Sequence, residues 1–189
     1  MLPNDPRLAF AQDLIGHWTA IRGRDLVPHK EHIDPNKLRR VLPYISILDA
    51  TRPEAPAVRL AGTAIRARYG REITGTDWSN YIPPENRPRM RAIISLLMRQ
   101  PCGIMFRYKI SADGDIMREA ETVSLPLRTG AAGPPNLIIA VTRDITARGV
   151  ADSSLVETAR LENTWVEFID IGAGLPDGTA IEAALDAHH

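Results

Sequence analysis

The spacing of apolar residues changes along the chain and predicts a mixture of helices and strands. Apolar residues recur at helical spacing over 8–21, and Asp5 and Pro6 suit the start of this helix. A short second helix is predicted from Pro35 to about Leu42. Two apolar runs over 44–50 and 57–61 are typical of β-strands and are separated by a proline-containing turn.

The second half of the pattern contains the clearest helix and three more strands. A short helix is predicted over 63–70, and an amphipathic helix over 84–99 has apolar residues at i, i+3, i+4, i+7 and i+8. After Pro101 the period changes to two, which predicts a half-buried strand over 104–110. The strands that follow are predicted over 116–127, after an Asp-Gly hairpin turn at 113–114, and over 136–142.

This order of elements predicts an α+β fold with a five-stranded antiparallel sheet and short helices inserted after the second strand. Three segments are predicted: an N-terminal helix and linker over 1–33, the sheet domain over 34–146, and a helical C-terminal extension over 147–189. The extension is predicted to contain one helix over 152–163 and a last helix from about Thr179.

Composition and charge argue against several classes of function. The 23 basic and 23 acidic side chains cancel, so no overall field favours a nucleic acid or an anionic membrane. The single cysteine, Cys102, cannot form an intramolecular disulfide, and no cysteine or histidine cluster predicts a metal site. With no apolar run of about 20 residues and no signal-like N-terminus, we expect no membrane insertion and a cytoplasmic location. His188 and His189 are either native or the start of a purification tag, and no function is assigned to them.

Three short motifs resemble those of a known family. Residues 59–63, Arg-Leu-Ala-Gly-Thr, and 69–75, Tyr-Gly-Arg-Glu-Ile-Thr-Gly, resemble the signature of a PAS domain subfamily abundant in alphaproteobacteria. Residues 142–146, Thr-Arg-Asp-Ile-Thr, resemble the exit motif common at PAS C-termini. The resemblance covers about residues 10–146. It implies a PAS fold and a non-enzymatic sensory or signalling role, exercised by contact with an unknown partner protein.

Most of the motif residues have a structural explanation. Gly62 allows a sharp exit from strand to helix, and Thr63 is predicted to cap that helix. Gly70 and Gly75 allow positive φ at turns, and Asp144 is predicted to accept hydrogen bonds that anchor the last strand. The motif residues together are Arg59, Gly62, Thr63, Gly70, Gly75, Asp144 and Thr146.

In the PAS fold a ligand lies between the inner face of the sheet and the long helix. The residues expected to line this region either fill an ordinary core or enclose a cavity for an unidentified small apolar ligand. These candidates are Val58, Leu60, Ile65, Trp78, Met90, Ile94, Leu97, Ile104, Phe106, Tyr108 and Val123.

Neither haem nor flavin is predicted as a cofactor. The helix over 84–99 contains no histidine, and only Met90 and Met98 could ligate a haem iron there. A flavin photosensor with this fold needs a reactive cysteine in the context Asn-Cys-Arg-Phe-Leu-Gln, which the surroundings of Cys102 do not match. Cys102 is instead predicted to be an inert, partly buried thiol.

The apolar stripe of the N-terminal helix has two interpretations. It either packs on its own sheet or pairs with the same helix of a second copy, and PAS domains resemble one another in using such helices for dimers. A homodimer is therefore predicted. The residues of the stripe are Leu8, Leu14, Ile15, Trp18 and Ile21.

The sequence is also compatible with two other functions. A small cone-shaped α+β enzyme of the isomerase or hydratase kind would use Glu119, Glu121 or His17 in a central cavity. Glu119 and Glu121 share strand parity with Val123, but a bulge is expected to turn them to solvent. The second alternative is a structural interaction module whose core is filled.

Overall fold

A computed structural model of the chain describes residues 6–112, 115–130, 133–147 and 160–187. Within these ranges the strands form a six-stranded antiparallel sheet in the order β2-β1-β5-β4-β3-β6. The strands are β1 (Ile45–Asp49), β2 (Ala57–Ala61), β3 (Gly103–Ala112), β4 (Asp115–Leu127), β5 (Leu137–Ala147) and β6 (Arg160–Ile169). The Asp-Gly turn predicted at 113–114 lies outside the described residues, but β3 and β4 pair on either side of it as expected.

The helices lie on both sides of this sheet. They are α1 (Gln12–Arg22), α2 (Thr63–Tyr69), α3 (Arg87–Arg99) and α4 (Gly178–Leu185), with short 3-10 turns at Pro6–Ala11, Lys30–His32, Pro35–Leu38, Leu42–Tyr44, Trp78–Tyr81 and Pro84–Asn86. Because α2 and α3 lie between β2 and β3, the predicted α+β fold with helices after the second strand is confirmed. No helix in the described part of the chain is long and apolar enough to cross a membrane.

The N-terminal helix covers one face of its own sheet. Leu8, Leu14, Ile15 and Trp18 are buried in one hydrophobic cluster with apolar residues of β1, β3, β4 and β5, and Ile21 is half-buried. The indole Nε1 of Trp18 donates a hydrogen bond to the carbonyl oxygen of Pro126 over 2.8 Å. Of the two interpretations of the stripe, packing on its own sheet is therefore the one observed, and these side chains are not exposed for pairing with a second copy.

The opposite face of the sheet packs against α2, α3 and α4. Ile94, Leu96 and Leu97 of α3 are buried in a second cluster that includes Leu48, Ile104, Ile138 and Phe168 of the sheet. The two clusters lie on opposite sides because successive side chains of a strand point to opposite faces. The sheet is therefore covered by helices on both faces.

The C-terminal extension differs from the sequence prediction. Residues 160–163, predicted as the end of a helix, begin β6, which pairs antiparallel with β3 from Arg160 to Ile169. Residues 148–159 lie outside the described part. The alternating burial of 160–164 fits a strand, and β6 pairs backbone groups of β3 that would otherwise form a free edge. The sheet thus has six strands and not five. The last predicted helix is confirmed as α4, whose first turn is capped by Asp177.

Replacing Trp18 tests how much the N-terminal helix contributes to the fold. We expect Trp18→Ala to lower the free energy of unfolding by about 3–5 kcal/mol, because a buried indole and its hydrogen bond are lost together. Trp18→Phe, which keeps an aromatic ring, should lose less. Urea unfolding measures both, and a Trp18→Ala protein as stable as the wild type would contradict the packing described above.

Candidate ligand-binding site

A cavity of about 140 Å³ lies between the inner face of the sheet and α3. One wall is formed by β1, β3, β4, β5 and β6, and the other by α2, α3 and the turn at Trp78–Tyr81. Eight of the eleven predicted residues line it: Ile65, Trp78, Met90, Ile94, Leu97, Ile104, Phe106 and Tyr108. The interior on this side is therefore not completely filled, and whether these residues bind a ligand stays a prediction.

The other three predicted residues lie elsewhere. Val58 is buried in the second cluster but does not reach the cavity, and Leu60 is 38% exposed on the edge strand β2. Val123 is buried on the face covered by α1, since it shares a cluster with Leu14 and Val141. The cavity side of β4 is instead formed by Thr122 and Ser124. Assigning Val123 to the cavity was wrong because its side chain points to the sheet face covered by α1 and not to the face covered by α3.

Buried hydroxyl groups form a polar strip on the sheet side of the cavity. The residues are Ser46, Thr122, Ser124 and Thr142, all buried, from β1, β4 and β5. The hydroxyl oxygens of Thr122 and Thr142 lie 2.9 Å apart in a hydrogen bond across the two central strands. Sequence reasoning missed this strip because it sought the cavity among apolar residues, although the alternation Thr-Val-Ser-Leu over 122–125 carries the signal.

Arg68 of α2 connects the cavity lining to a pair of buried ion pairs. It is only 7% exposed, and its Nη1 donates to the Tyr108 hydroxyl over 3.0 Å. Its Nη2 donates to Oδ1 of Asp144 over 2.7 Å, and Oδ2 of the same carboxylate pairs with Nη1 of Arg118 over 2.6 Å. Asp144 in the exit motif therefore holds two buried guanidinium groups and attaches α2 to the end of β5.

Three aromatic rings lie together at one end of the cavity. Tyr69, Trp78 and Tyr81 have ring centroids 4.8–6.2 Å apart, and Nε1 of Trp78 lies 3.2 Å from the Met90 sulfur, to which it donates. Burial raises the pKa of Tyr69 well above its ordinary value, so the phenol is neutral at physiological pH. Met98, the other predicted candidate for a haem ligand, does not line the cavity.

Cys102 is buried and lies outside the cavity lining. Burial, with a smaller contribution from the charge of Asp170, raises the pKa of its thiol to about 12. The thiol is therefore protonated at neutral pH, and it has the inert character of a structural cysteine. Among the described residues, no group of three or more His, Cys, Asp or Glu side chains could hold a metal ion.

The acid and base candidates predicted for an enzyme, Glu119, Glu121 and His17, do not line the cavity. Glu121 is 1% exposed on the face covered by α1, where its carboxylate pairs with Arg143 and, over 3.0 Å, with Arg107. The expectation that it faces solvent was wrong, because the bulge beside it lies at Ile145 of β5 and leaves β4 regular there. Glu119 is half-buried and, like Glu121, does not line the cavity. Nε2 of His17 accepts the backbone N–H of Asp34 over 2.9 Å.

The remaining motif residues have structural positions. A Cβ at Gly62 would collide with the carbonyl oxygens of Leu42 and Pro43, so glycine is required there for close approach. Gly70 ends α2 with φ 63°, and Gly75 has φ 86°. Thr63 does not cap α2, because Gly62 occupies the capping position and no side chain caps the helix. The last two residues are exposed on strands: Arg59 pairs with Asp49 across β1 and β2, and Thr146 lies opposite Glu119.

Comparison with known proteins gives one family. A family model described as a PAS domain matches residues 8–141. A search of curated proteins finds no match. The structure is similar to the crystal structure of a LOV protein from Rhodobacter sphaeroides, with 14% identity, 60% of this chain and 69% of that chain covered, and a TM-score of 0.41. It is also similar to the PAS domain of an HTR-like protein from Haloarcula marismortui, with 17% identity, 58% and 90% covered, and a TM-score of 0.40.

Neutralising Asp144 tests the ion pairs beside the cavity. We expect Asp144→Asn to lower the free energy of unfolding by about 1.5–3 kcal/mol, because the buried Arg68 and Arg118 lose their shared counter-charge while the carboxylate is itself partly solvated. Asp25→Asn, which weakens the more exposed pair with Arg128, should cost about 0–1 kcal/mol. Urea unfolding that ranks the two variants in the opposite order would contradict this role of Asp144.

His17 gives the fold a dependence on pH. Burial lowers its pKa below the ordinary value of about 6.5, despite the opposing charge of Asp34, and the imidazole must be neutral to accept the Asp34 N–H. Its contribution to stability is complete above about pH 6.5 and is lost as the pH falls through the lowered value. We expect the urea midpoint of the wild type to fall more between pH 7.5 and 5.5 than that of His17→Gln.

The matched control is His32→Gln, at an exposed position. This variant should keep the pH dependence of the wild type. If His17→Gln keeps it as well, the hydrogen bond to Asp34 is not its source.

Proposed function

Because this chain belongs to the PAS domain family, we propose that it is a sensory module that binds a small molecule in its cavity. The proposal includes a signal passed to a partner protein by contact. It is supported by the place of the cavity between the sheet and α3 and by its mixed lining of apolar side chains and buried polar groups. Such a lining is typical of sites that bind and orient small ligands.

The volume of the cavity limits the size of the ligand. A volume of about 140 Å³ is close to that of an apolar protein cavity, about 150 Å³, that binds benzene, whereas drug-sized ligands occupy about 300 Å³ or more. It favours a molecule of about six to ten non-hydrogen atoms. Flavin and haem are far larger, which supports the prediction that neither is the cofactor.

One observation carries the signalling part of the proposal: strand β6 forms part of the cavity wall. Leu161, Asn163 and Val166 of β6 line the cavity, and the Leu161 carbonyl accepts a hydrogen bond from Asn86 over 3.1 Å. The family match ends at residue 141, before β6 begins. A ligand in the cavity would touch this additional segment directly, so we propose that the C-terminal segment carries the signal to the partner.

The other functions predicted from the sequence receive less support. Glu119, Glu121 and His17 do not line the cavity, so an isomerase or hydratase would lack its proposed acid and base there. A structural module with a filled core would not have a cavity of this size. We keep the homodimer and the cytoplasmic location as proposals. A dimer would need a surface other than the N-terminal stripe, and light scattering would detect it.

Filling the cavity tests ligand binding. Ala140 of β5 lies in the cavity wall, and Ala140→Leu would occupy part of the space with three additional carbon atoms. We expect native mass spectrometry to find a small molecule retained by freshly purified wild type and lost from Ala140→Leu. Ala20→Leu, at an exposed position of α1, should retain it. If the wild type carries no molecule, the ligand-binding proposal fails and a structural interaction module becomes the better hypothesis.

Hydrogen exchange provides a second readout for the signalling part. Wild-type protein is compared before and after its molecule is removed by dialysis in urea and refolding. We expect the backbone amides of β6 to exchange more slowly when the molecule is bound, because side chains of β6 form part of the cavity wall. Protection that changes in α3 but not in β6 would count against the C-terminal segment as the signalling element.

A further inference from the structure

The charged side chains that line the cavity are all basic. They are Arg68 and Arg89, and the lining contains no aspartate or glutamate. Asp144 compensates only part of this charge, because its single carboxylate is shared by Arg68 and Arg118. None of the ion pairs between described residues involves Arg89. The surroundings of the cavity therefore have an excess of positive charge.

Three buried polar atoms at this cavity have no hydrogen-bond partner among the described residues. They are Nε of Arg68, Nε of Arg89 and Oδ1 of Asn86, and all three residues line the cavity. A buried polar group without a partner costs about 1–3 kcal/mol, and native proteins rarely leave one unexplained. Three at one cavity indicate that a polar group normally occupies part of it.

The environment of these atoms favours an anion. Arg89 lies in the first turn of α3, and Asn86 is the capping residue of that helix, where the helix dipole adds partial positive charge. Arginine presents planar N–H donors that match the geometry of a carboxylate. The Asn86 amide nitrogen already donates to the Leu161 carbonyl, which leaves its oxygen as an acceptor for a hydroxyl or N–H group.

We infer that the ligand is a small carboxylic acid of about six to ten non-hydrogen atoms, with its carboxylate bound by Arg89 and Arg68. This inference rests on the proposed function, namely that the cavity binds a ligand. The apolar body of the acid would lie against Ile94, Leu97 and Phe106. A hydroxyl or amine on the same molecule would donate to Asn86.

Two other classes of ligand fit less well. A cation could stack on Tyr69, Trp78 and Tyr81, but these rings pack against one another, and two guanidinium groups in the same lining would repel it. A purely apolar molecule would leave the three polar atoms without partners. Bound water alone would satisfy those atoms, and the experiment below distinguishes this outcome.

The test uses three probes of nearly identical shape and different charge: benzoate, benzamide and benzamidinium. Wild-type protein freed of its retained molecule is titrated with each by calorimetry at neutral pH. We expect benzoate to bind at least tenfold more tightly than either of the others. We also expect at least one hydroxybenzoate to bind more tightly than benzoate, because its hydroxyl group would donate to the Asn86 oxygen. If none does, Asn86 is not an acceptor for the ligand.

Three variants of α3 test where the anion binds. Arg89→Gln should lower the affinity for benzoate at least tenfold and leave that for benzamide unchanged. Arg91→Gln, at an exposed position outside the lining, should change neither. Arg89→Lys keeps the charge but loses Nε, so it should have an intermediate affinity for benzoate. If circular dichroism shows that Arg89→Gln is unfolded, Arg89→Lys takes its place in the test.

The possible failures are distinguishable. Benzamide binding as tightly as benzoate, or an Arg89→Gln protein with unchanged affinity for benzoate, would overturn the assignment of an acid while the ligand-binding function stands. If none of the three probes binds, the acid is rejected and water is the better occupant of the polar end. In that case the retained molecule detected by mass spectrometry decides separately whether the cavity binds a ligand at all.

Discussion

The alternation of side chains along the two central strands, β4 and β5, determines both the core and the cavity. On one face Val123, Leu125, Ile139 and Val141 are large and apolar, and they pack against α1. On the other face the intervening positions are short: Thr122, Ser124, Ala140 and Thr142. Because these side chains do not reach α3, space remains between the sheet and the helix. A shift of one residue in either strand would exchange the two faces.

The N-terminal helix and the C-terminal strand β6 differ in their contact with the cavity. The N-terminal helix belongs to the packed face, where Trp18 is bound to the Pro126 carbonyl and a ligand on the opposite face would not touch it. The C-terminal strand β6 crosses the edge of the cavity and contributes side chains to its wall. Under the proposed function, contact with the cavity favours β6 over the N-terminal helix as the element that responds to a ligand.

The sequence predicted the helices and strands better than it predicted the polar residues of the cavity. Period two in β3 and the helical period in α3 are local patterns, and the residues that they place on the inner side, Ile104, Phe106, Ile94 and Leu97, line the cavity. Strand β6 was missed because its pairing with β3 is a contact between distant segments and its sequence has no strong apolar alternation. The role of Arg68 was missed for a related reason: its counter-charge, Asp144, lies 76 positions away. Buried charges are stable only with partners that tertiary structure supplies, and no local pattern reveals them.

The ion pairs at Asp144 also explain how a charged ligand could bind at an interior site at acceptable cost. Isolated charges are strongly disfavoured in a protein interior, but Arg68 and Arg118 are already desolvated and held by the fold before any ligand arrives. A ligand carboxylate would add a second negative charge beside these two arginines and the half-buried Arg89, so two of the three cations are desolvated before the ligand binds. The same molecule would satisfy donors from α2 and α3 at once and would connect these helices to the strand wall at β6. Binding would thereby stabilise one arrangement of these elements over others, which is the physical requirement for a sensor.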